Sequence, residues 1–242
     1  MKKILFQQQL YLILVVADLP INLKSMYKKK LFLILLFLIF QQSLLAETIK
    51  VFEFVETEFV NLKVKKVRGV DNKTKYSLGK NENGNFIRSE ADNAASGLGK
   101  EIKINLSETP FLNITWKVEK DLSGIIENSK KGHDYAARVF VIKKTGATPL
   151  SNRAMNYVFS SNNEIGSNHP SPFTKKSIDY VLSTTKENLN EWVTVKVNVQ
   201  NHFKKFHDLN VNDIEGIAIM TDTDNSKKIA VAYYQNIYFS SE

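Results

Sequence analysis

The chain has 242 residues, no cysteine, and 33 basic against 25 acidic side chains, for a net charge of +8. The lack of cysteine excludes disulfides, thiol catalysis, iron–sulfur clusters and cysteine zinc sites, so stability has to come from a buried core. The positive charge is concentrated at one end: six lysines and one aspartate fall in residues 1–46, leaving 27 basic and 24 acidic side chains, net +3, on the rest. That is an ordinary solvated surface without the basic clusters of nucleic-acid binders.

Two apolar stretches lie near the start. The first, Leu10–Val16, is shorter than the roughly 20 residues a membrane helix needs. Residues 1–25 read as translated sequence upstream of a start at Met26, or as part of a membrane anchor together with the second stretch. From Met26 the pattern is that of a secretory signal peptide: Lys28, Lys29 and Lys30, an apolar run from Leu31 to Phe40, then Gln41 to Ala46. Cleavage is expected after Ala46. The expectation is therefore a periplasmic or secreted protein in which residues 47–242 form one domain. No lipobox cysteine is present, and no membrane insertion is expected after cleavage.

Beyond Ala46 the hydrophobic pattern has a period of two. Leu112, Ile114, Trp116 and Val118 fall on one face of Phe111–Val118, with Asn113, Thr115 and Lys117 on the other. Val193, Val195, Val197 and Val199 repeat this in Trp192–Val199. Strands are also predicted over Ile49–Phe54, Leu62–Val67, Asn85–Ala91, Glu101–Leu106, Met155–Ser160, Ile178–Ser183 and Ile229–Phe239. Tyr135–Ile142 and Ile214–Met220, apolar on both faces, are placed in central strands. Polar clusters at 81–85, 97–99 and 161–172 punctuate the runs. Helix is expected only over Gln200–His207, where Phe203 and Phe206 are helically spaced, and over Leu122–Ser129. About ten to twelve strands with so little helix point to an all-β, jelly-roll-like two-sheet antiparallel β-sandwich with one or two short helices.

Several segments carry a family resemblance. They are Ala94–Leu98, Leu112–Val118, Lys131-Gly132-His133-Asp134-Tyr135-Ala136-Ala137-Arg138-Val139, Asn156–Ser160, and Gly216-Ile217-Ala218-Ile219-Met220-Thr221-Asp222-Thr223-Asp224-Asn225 followed by Ala232-Tyr233-Tyr234. Together and in this order they resemble DUF3047, a family of exported bacterial proteins of unknown function. The resemblance implies a β-sandwich and export, and names no activity. This chain departs from the family pattern at His133, where an acidic residue is usual, and at Phe159, where tryptophan is usual.

Arg138 stands in a strand apolar on both faces, where a guanidinium needs a partner. Asp134, Asp222 and Asp224 are the candidates. The arginine is either an internal salt bridge holding strands together or the floor of a cleft for an acidic or polyhydroxylated ligand. Asp222, Asp224 and Asn225 open a polar turn. Their oxygens suit turn hydrogen bonding, a calcium ion, or ligand or catalytic carboxylates. The spacing is not that of an EF-hand. The four histidines, His133, His169, His202 and His207, lack zinc-ligand spacing and read as surface residues. No phosphate loop and no nucleophile elbow is present.

Tyr157 and Trp192 complete the candidate set, Trp192 as an aromatic on the polar face of its strand. The leading expectation is noncatalytic binding of a glycan or other polyhydroxylated ligand. Asp134, Arg138 and Asn156 would form the floor, and Asp222, Asp224 and Asn225 the rim. One alternative is a glycan-active enzyme using Asp222 or Asp224 as acid/base, which requires two carboxylates on opposite walls of a cleft. The other is an envelope structural or protein-interaction domain, which requires an exposed apolar patch.

Overall fold

The computed structural model describes residues 46–67 and 69–242. The signal-peptide and upstream-segment readings lie outside these residues. Among the described residues no helix is long and apolar enough to cross a membrane.

Among the described residues thirteen strands make two packed sheets. In chain order they are β1 Thr48–Lys50, β2 Lys63–Lys66, β3 Lys75–Asn81, β4 Gly84–Asp92, β5 Ala95–Asn105, β6 Phe111–Lys120, β7 Ala137–Lys143, β8 Arg153–Ser160, β9 Asn168–Ser171, β10 Thr174–Thr184, β11 Val193–Asn198, β12 Asp213–Asp222 and β13 Ile229–Ser240. Among the described residues the α-helices are α1 Glu56–Phe59, α2 Thr185–Asn188 and α3 Val199–His207. The first sheet has the order β11-β6-β13-β4-β3, with β1 on the far half of β13. The second has the order β2-β5-β12-β7-β8-β10-β9.

Both sheets turn their period-two apolar faces inward. Leu112, Ile114, Trp116 and Val118 of β6 meet Val139 and Val141 of β7 and Tyr157 and Phe159 of β8 in one continuous core. The Trp116 and Phe159 rings lie 5.5 Å apart, and Trp116 Nε1 donates to Ser183 Oγ at 3.0 Å. The indole therefore buries its large apolar area without leaving its N–H unpaired. Near one end the sheets are tied by polar groups. Ser89 Oγ and Thr221 Oγ1 are 2.7 Å apart, Thr221 Oγ1 lies 3.1 Å from Tyr234 OH, and Arg138 N donates to Tyr234 OH at 3.1 Å. This end of the sandwich carries the candidate site.

The architecture agrees with the sequence pattern, with local differences. The β8–β10 pair is parallel, because β10 is laid between β8 and the short edge strand β9. Residues 97–99, expected as a turn, lie inside β5, and residues 168–171, expected as loop, form β9. Leu122–Ser129 is a run of turns rather than a helix. Gly124 takes φ +83°, outside helical space, and the buried Glu127 carboxylate is held by Ser160 Oγ, Ser161 N, Asn162 Nδ2 and Asn163 Nδ2. Helix α3 does form. Asn198 Oδ1 caps it by accepting from Asn201 N at 2.9 Å, and Asp208 ends it in the left-handed region.

Candidate functional site

The site is built where β7 begins and β12 ends. These strands are antiparallel neighbours, with Met220 opposite Arg138. Along β7, Ala137, Val139 and Val141 face the core, so Arg138 and Phe140 face outward. Along β12, Ile217 and Ile219 face the core, which puts Met220 and Asp222 on the same outer face as Arg138. Two loops close over this end. One is residues 121–136, leading into β7. The other is residues 223–228, leading out of β12.

Arg138 and Asp222 form a buried ion pair at 3% and 2% exposure. Arg138 Nε donates to Asp222 Oδ1 at 2.8 Å, and Nη2 contacts Oδ2. Asp222 Oδ1 also accepts from Tyr135 N at 3.2 Å, while Arg138 Nη2 reaches His133 O at 3.5 Å. The guanidinium is sandwiched between rings, 5.1 Å from the centre of Tyr135 and 5.5 Å from that of Phe140. The charge, the Nε–Nη2 edge of the fork and the ring faces are thus all engaged within the protein. These contacts are those of the internal salt bridge, and Arg138 also lines the cleft above it, where the second sequence reading put it.

Asp134 is fully buried and organises the second loop. Its carboxylate accepts from Asn225 N at 3.2 Å, Asn225 Nδ2 at 2.8 Å and Ser226 N at 2.5 Å. Asp224 lies beside it, half-buried. Burial first, and then the Asp134 charge, push the Asp224 carboxyl above its ordinary pKa. Oxygens of Asp134, Asp222 and Asp224 all fall within 4.8 Å of one another. As a cation site this cluster differs from the expected Asp222, Asp224 and Asn225 set. Arg138 already neutralises Asp222, and backbone and amide donors already fill Asp134. The Asn225 amide is turned so that its nitrogen donates inward to Asp134. The donor set is that of an arginine-braced loop.

A cleft of about 470 Å³ opens above the brace. Its apolar side is made by Phe140, Met220, Val67 and Val70, with Phe173 standing at the mouth. Its polar side chains are His133, Arg138, Asp222, Asp224 and Asn225. Phe173 is 57% exposed, and its ring meets His133 edge-on with centroids 5.6 Å apart. His133 is in turn held from behind, with Nε2 2.7 Å from Asp179 Oδ2. Asp179 is 1% exposed and also bonds Asn156 Nδ2, with His169 Nδ1 at 3.6 Å. Tyr135 OH lies 3.2 Å from His169 Nε2.

The structure therefore brings together Asp134, Arg138, Asp222, Asp224 and Asn225. Asn156 is one layer below, bonded to Asp179 rather than lining the cleft. Tyr157 is turned into the core between the sheets and packs beside His202 at 5.8 Å, so it does not reach the cleft. Trp192 stands on the outer face of the other sheet, against Phe86 and Tyr233, away from Arg138. His133 is buried rather than at the surface, and His202 is wedged between Tyr157 and Tyr180. The sequence reading missed Phe140, Phe173, Met220 and Asp179. Phe140 and Met220 share the outward parity of Arg138 and Asp222, a signal that was there to be used. Asp179 meets its partners across 46 and 23 residues of chain, which no local pattern reports.

Solved structures resemble the chain at low similarity. The family 30 carbohydrate-binding module of the cellulosomal cellulase Cel9D-Cel44B of Clostridium thermocellum is 8% identical, with 75% of this chain and 91% of that one covered and a TM-score of 0.43. The xyloglucanase domain of NopAA, a type three effector from Sinorhizobium fredii, is 12% identical over 74% and 87%, with a TM-score of 0.38. The Trichoderma harzianum endoglucanase 3 from family GH12 is 8% identical over 82% and 98%, with a TM-score of 0.37. Likenesses this distant say nothing about ligand or activity. Among curated proteins, none matches the sequence. The family whose pattern residues 60–238 do match is described as a protein of unknown function, DUF3047, and the chain belongs to it.

Proposed function

We propose that the protein is an exported binding module whose cleft takes a neutral polyhydroxylated ligand, a glycan, without turnover. The observation that carries this reading is the pairing of an exposed aromatic ring, Phe173, with a compact hydrogen-bonding end made by His133, Asp224 and Asn225. A sugar ring offers an apolar C–H face and a rim of hydroxyls. The cleft offers an aromatic and aliphatic wall and a rim of acceptors and donors. Arg138 and Asp222 are the brace beneath, and Asp224 and Asn225 carry the ligand contacts.

The alternative of a two-carboxylate hydrolase is less well supported. That chemistry needs carboxyls about 5–9.5 Å apart, flanking the scissile bond. The two acids lining the cleft, Asp222 and Asp224, are two residues apart at the end of β12 rather than on opposite walls. For the envelope-interaction alternative, the most exposed large apolar side chains, Val60, Ile126, Leu150 and Phe173, sit on separate connections.

A thermal-shift screen against neutral bacterial and algal oligosaccharides tests the reading. A ligand at a hundred times its dissociation constant adds about 2.7 kcal/mol, worth roughly 5–10 °C for a domain of this size. The shift should vanish in Asp224→Ala and Phe173→Ala. Absence of any saccharide-dependent shift would sink the proposal.

A further inference from the structure

The opposite face of the sandwich carries a second feature that the cleft does not use. On the outer face of the first sheet a groove of about 470 Å³ is lined by Thr48, Lys50, Thr115, Thr194, Asn236 and Tyr238. An adjoining hollow of about 270 Å³ shares Lys50 and Asn236 and extends past Lys80, Asn83 and Asn85. The groove is lined by hydroxyls, an amide, a lysine and one phenol, and the hollow adds Lys80 and further amides together with Phe52, Glu53 and Phe54. Thr115 and Thr194 hydroxyls, 2.9 Å apart across β6 and β11, hold each other in place.

Asn236 joins the two hollows, and its placement is a built feature. It sits at the register break of β13 between Gln235 and Tyr238, with φ +46°. A bulge re-aims a side chain at the cost of a ladder position, and a left-handed asparagine keeps it there. Where the strand would have continued flat, the bulge turns Asn236 into both hollows.

The groove is flanked by cations that the protein leaves unpaired. Among the described residues, no carboxylate lies within ion-pair distance of Lys80, Lys117 or Lys196, whereas Glu53 is taken by Lys50 at 2.7 Å. Lys117 Nζ rests 4.4 Å over the Tyr233 ring and 5.9 Å over Trp192, and Lys196 Nζ rests 5.4 Å over Phe111. Glu119, on the same face, accepts the Tyr233 hydroxyl instead. Lysines held on ring faces are ordered charges without a counter-ion. The rings Phe86, Trp192 and Tyr233 stand together, centroids 5.6–5.9 Å apart, as a rigid patch on this face.

We infer that this face is a second glycan site, selective for acidic saccharides bearing uronate groups. Hydroxyls and the Asn236 amide bond the sugar hydroxyls, the aromatic patch packs a ring, and Lys117 and Lys196 take the carboxylates. The inference is independent of the cleft, because no residue is shared between the two sites.

The test uses oligogalacturonate and its carboxyl-reduced, neutral counterpart. Of the two tryptophans, Trp116 is fully buried, so a ligand-dependent change in emission reports Trp192. Saturable binding of oligogalacturonate to the full protein is expected, measured by fluorescence and by calorimetry. Affinity should fall at least tenfold in Lys117→Ala/Lys196→Ala, weaken on going from 50 to 300 mM salt, and stay unchanged in the cleft variant Asp224→Ala. Lys196 is exposed and Lys117 half-buried, and an unchanged melting temperature verifies that the variant is folded. The inference is overturned by any of four results. These are no saturable binding, equal affinity for the carboxyl-reduced oligomer, loss of binding in Asp224→Ala but not in the lysine variant, or equal affinity for a charge-matched oligodeoxynucleotide.

Discussion

Removing one member of the Arg138–Asp222 pair should cost far more than removing both. The two side chains are 3% and 2% exposed, so neither is rescued by water when its partner goes. In Asp222→Asn the guanidinium keeps its ring contacts and a 3.5 Å approach to His133 O, but loses its counter-charge. In Arg138→Met the carboxylate keeps only the Tyr135 N–H at 3.2 Å. Breaking a buried pair in this way costs about 3–5 kcal/mol. Against a typical total of about 5–15 kcal/mol, that is a fifth of the stability or more. The double variant Arg138→Met/Asp222→Asn leaves neither position charged and still presents an amide oxygen to Tyr135 N. It should therefore be more stable than either single variant, which requires a coupling energy larger than the cost of one single change, at least about 3–5 kcal/mol. Equilibrium urea denaturation reads this directly. With a slope near 2 kcal/mol per molar, each single change should lower the midpoint by about 2 M. Single costs below about 1 kcal/mol, or costs that simply add, would refute the assignment of Arg138 as the brace.

Other consequences are independent of the pair. His202 has its pKa lowered to about 4, first by burial and then by Lys205. Its neutral form is favoured in the fold, so stability is full above about pH 6.5 and declines as pH falls toward 4. Because part of the ring still meets water, the loss should be about 1–2 kcal/mol, and His202→Phe should flatten that limb of the pH profile. Gly132→Ala would bring a Cβ within 2.6 Å of Ile126 O and 2.9 Å of Ile126 N, both backbone atoms that cannot swing aside. It should cost about 1–3 kcal/mol in a denaturation experiment and displace the His133–Asp134 segment, weakening any cleft ligand. Glu127→Ala strips four donors of their acceptor and should cost at least about 2 kcal/mol, with faster hydrogen exchange over residues 121–133. Calcium or chelator should leave the melting temperature unchanged, since Arg138 already balances Asp222. A rise of several degrees with calcium would show that the acidic cluster holds a cation after all.

What the sequence made legible follows from how locally each feature is encoded. The inward stripes of β6 and β11 are strict alternations, and Leu112, Ile114, Trp116 and Val118 are all fully buried. Strand β9 escaped notice because Asn168, His169 and Pro170 look like loop. A proline is nevertheless tolerated on a sheet edge, where its missing N–H has no partner to lose. Gly97 and Gly99 suggested a turn, yet they lie in β5 opposite Met220 and Ala218, with the Lys65 side chain lying 3.5 Å from a Cβ built at Gly99. Within the site, Arg138, Asp134 and the Asp222–Asn225 segment were visible because charge in an apolar strand demands a partner. The parity of β8 also places Tyr157 with Met155 and Phe159 in the core, so its assignment to a ligand was avoidable. The Asp179 support of His133 was not, since it depends on β10 lying beside β8.

The most direct test of the account is the location of a bound neutral oligosaccharide, read from amide chemical shifts of the labelled protein during titration. The account predicts saturable movement of the amides of His133, Phe173, Asp224 and Asn225, with those of Thr115, Thr194 and Asn236 unmoved. Saturable movement confined to the opposite sheet, or none at any residue lining the cleft, would contradict it.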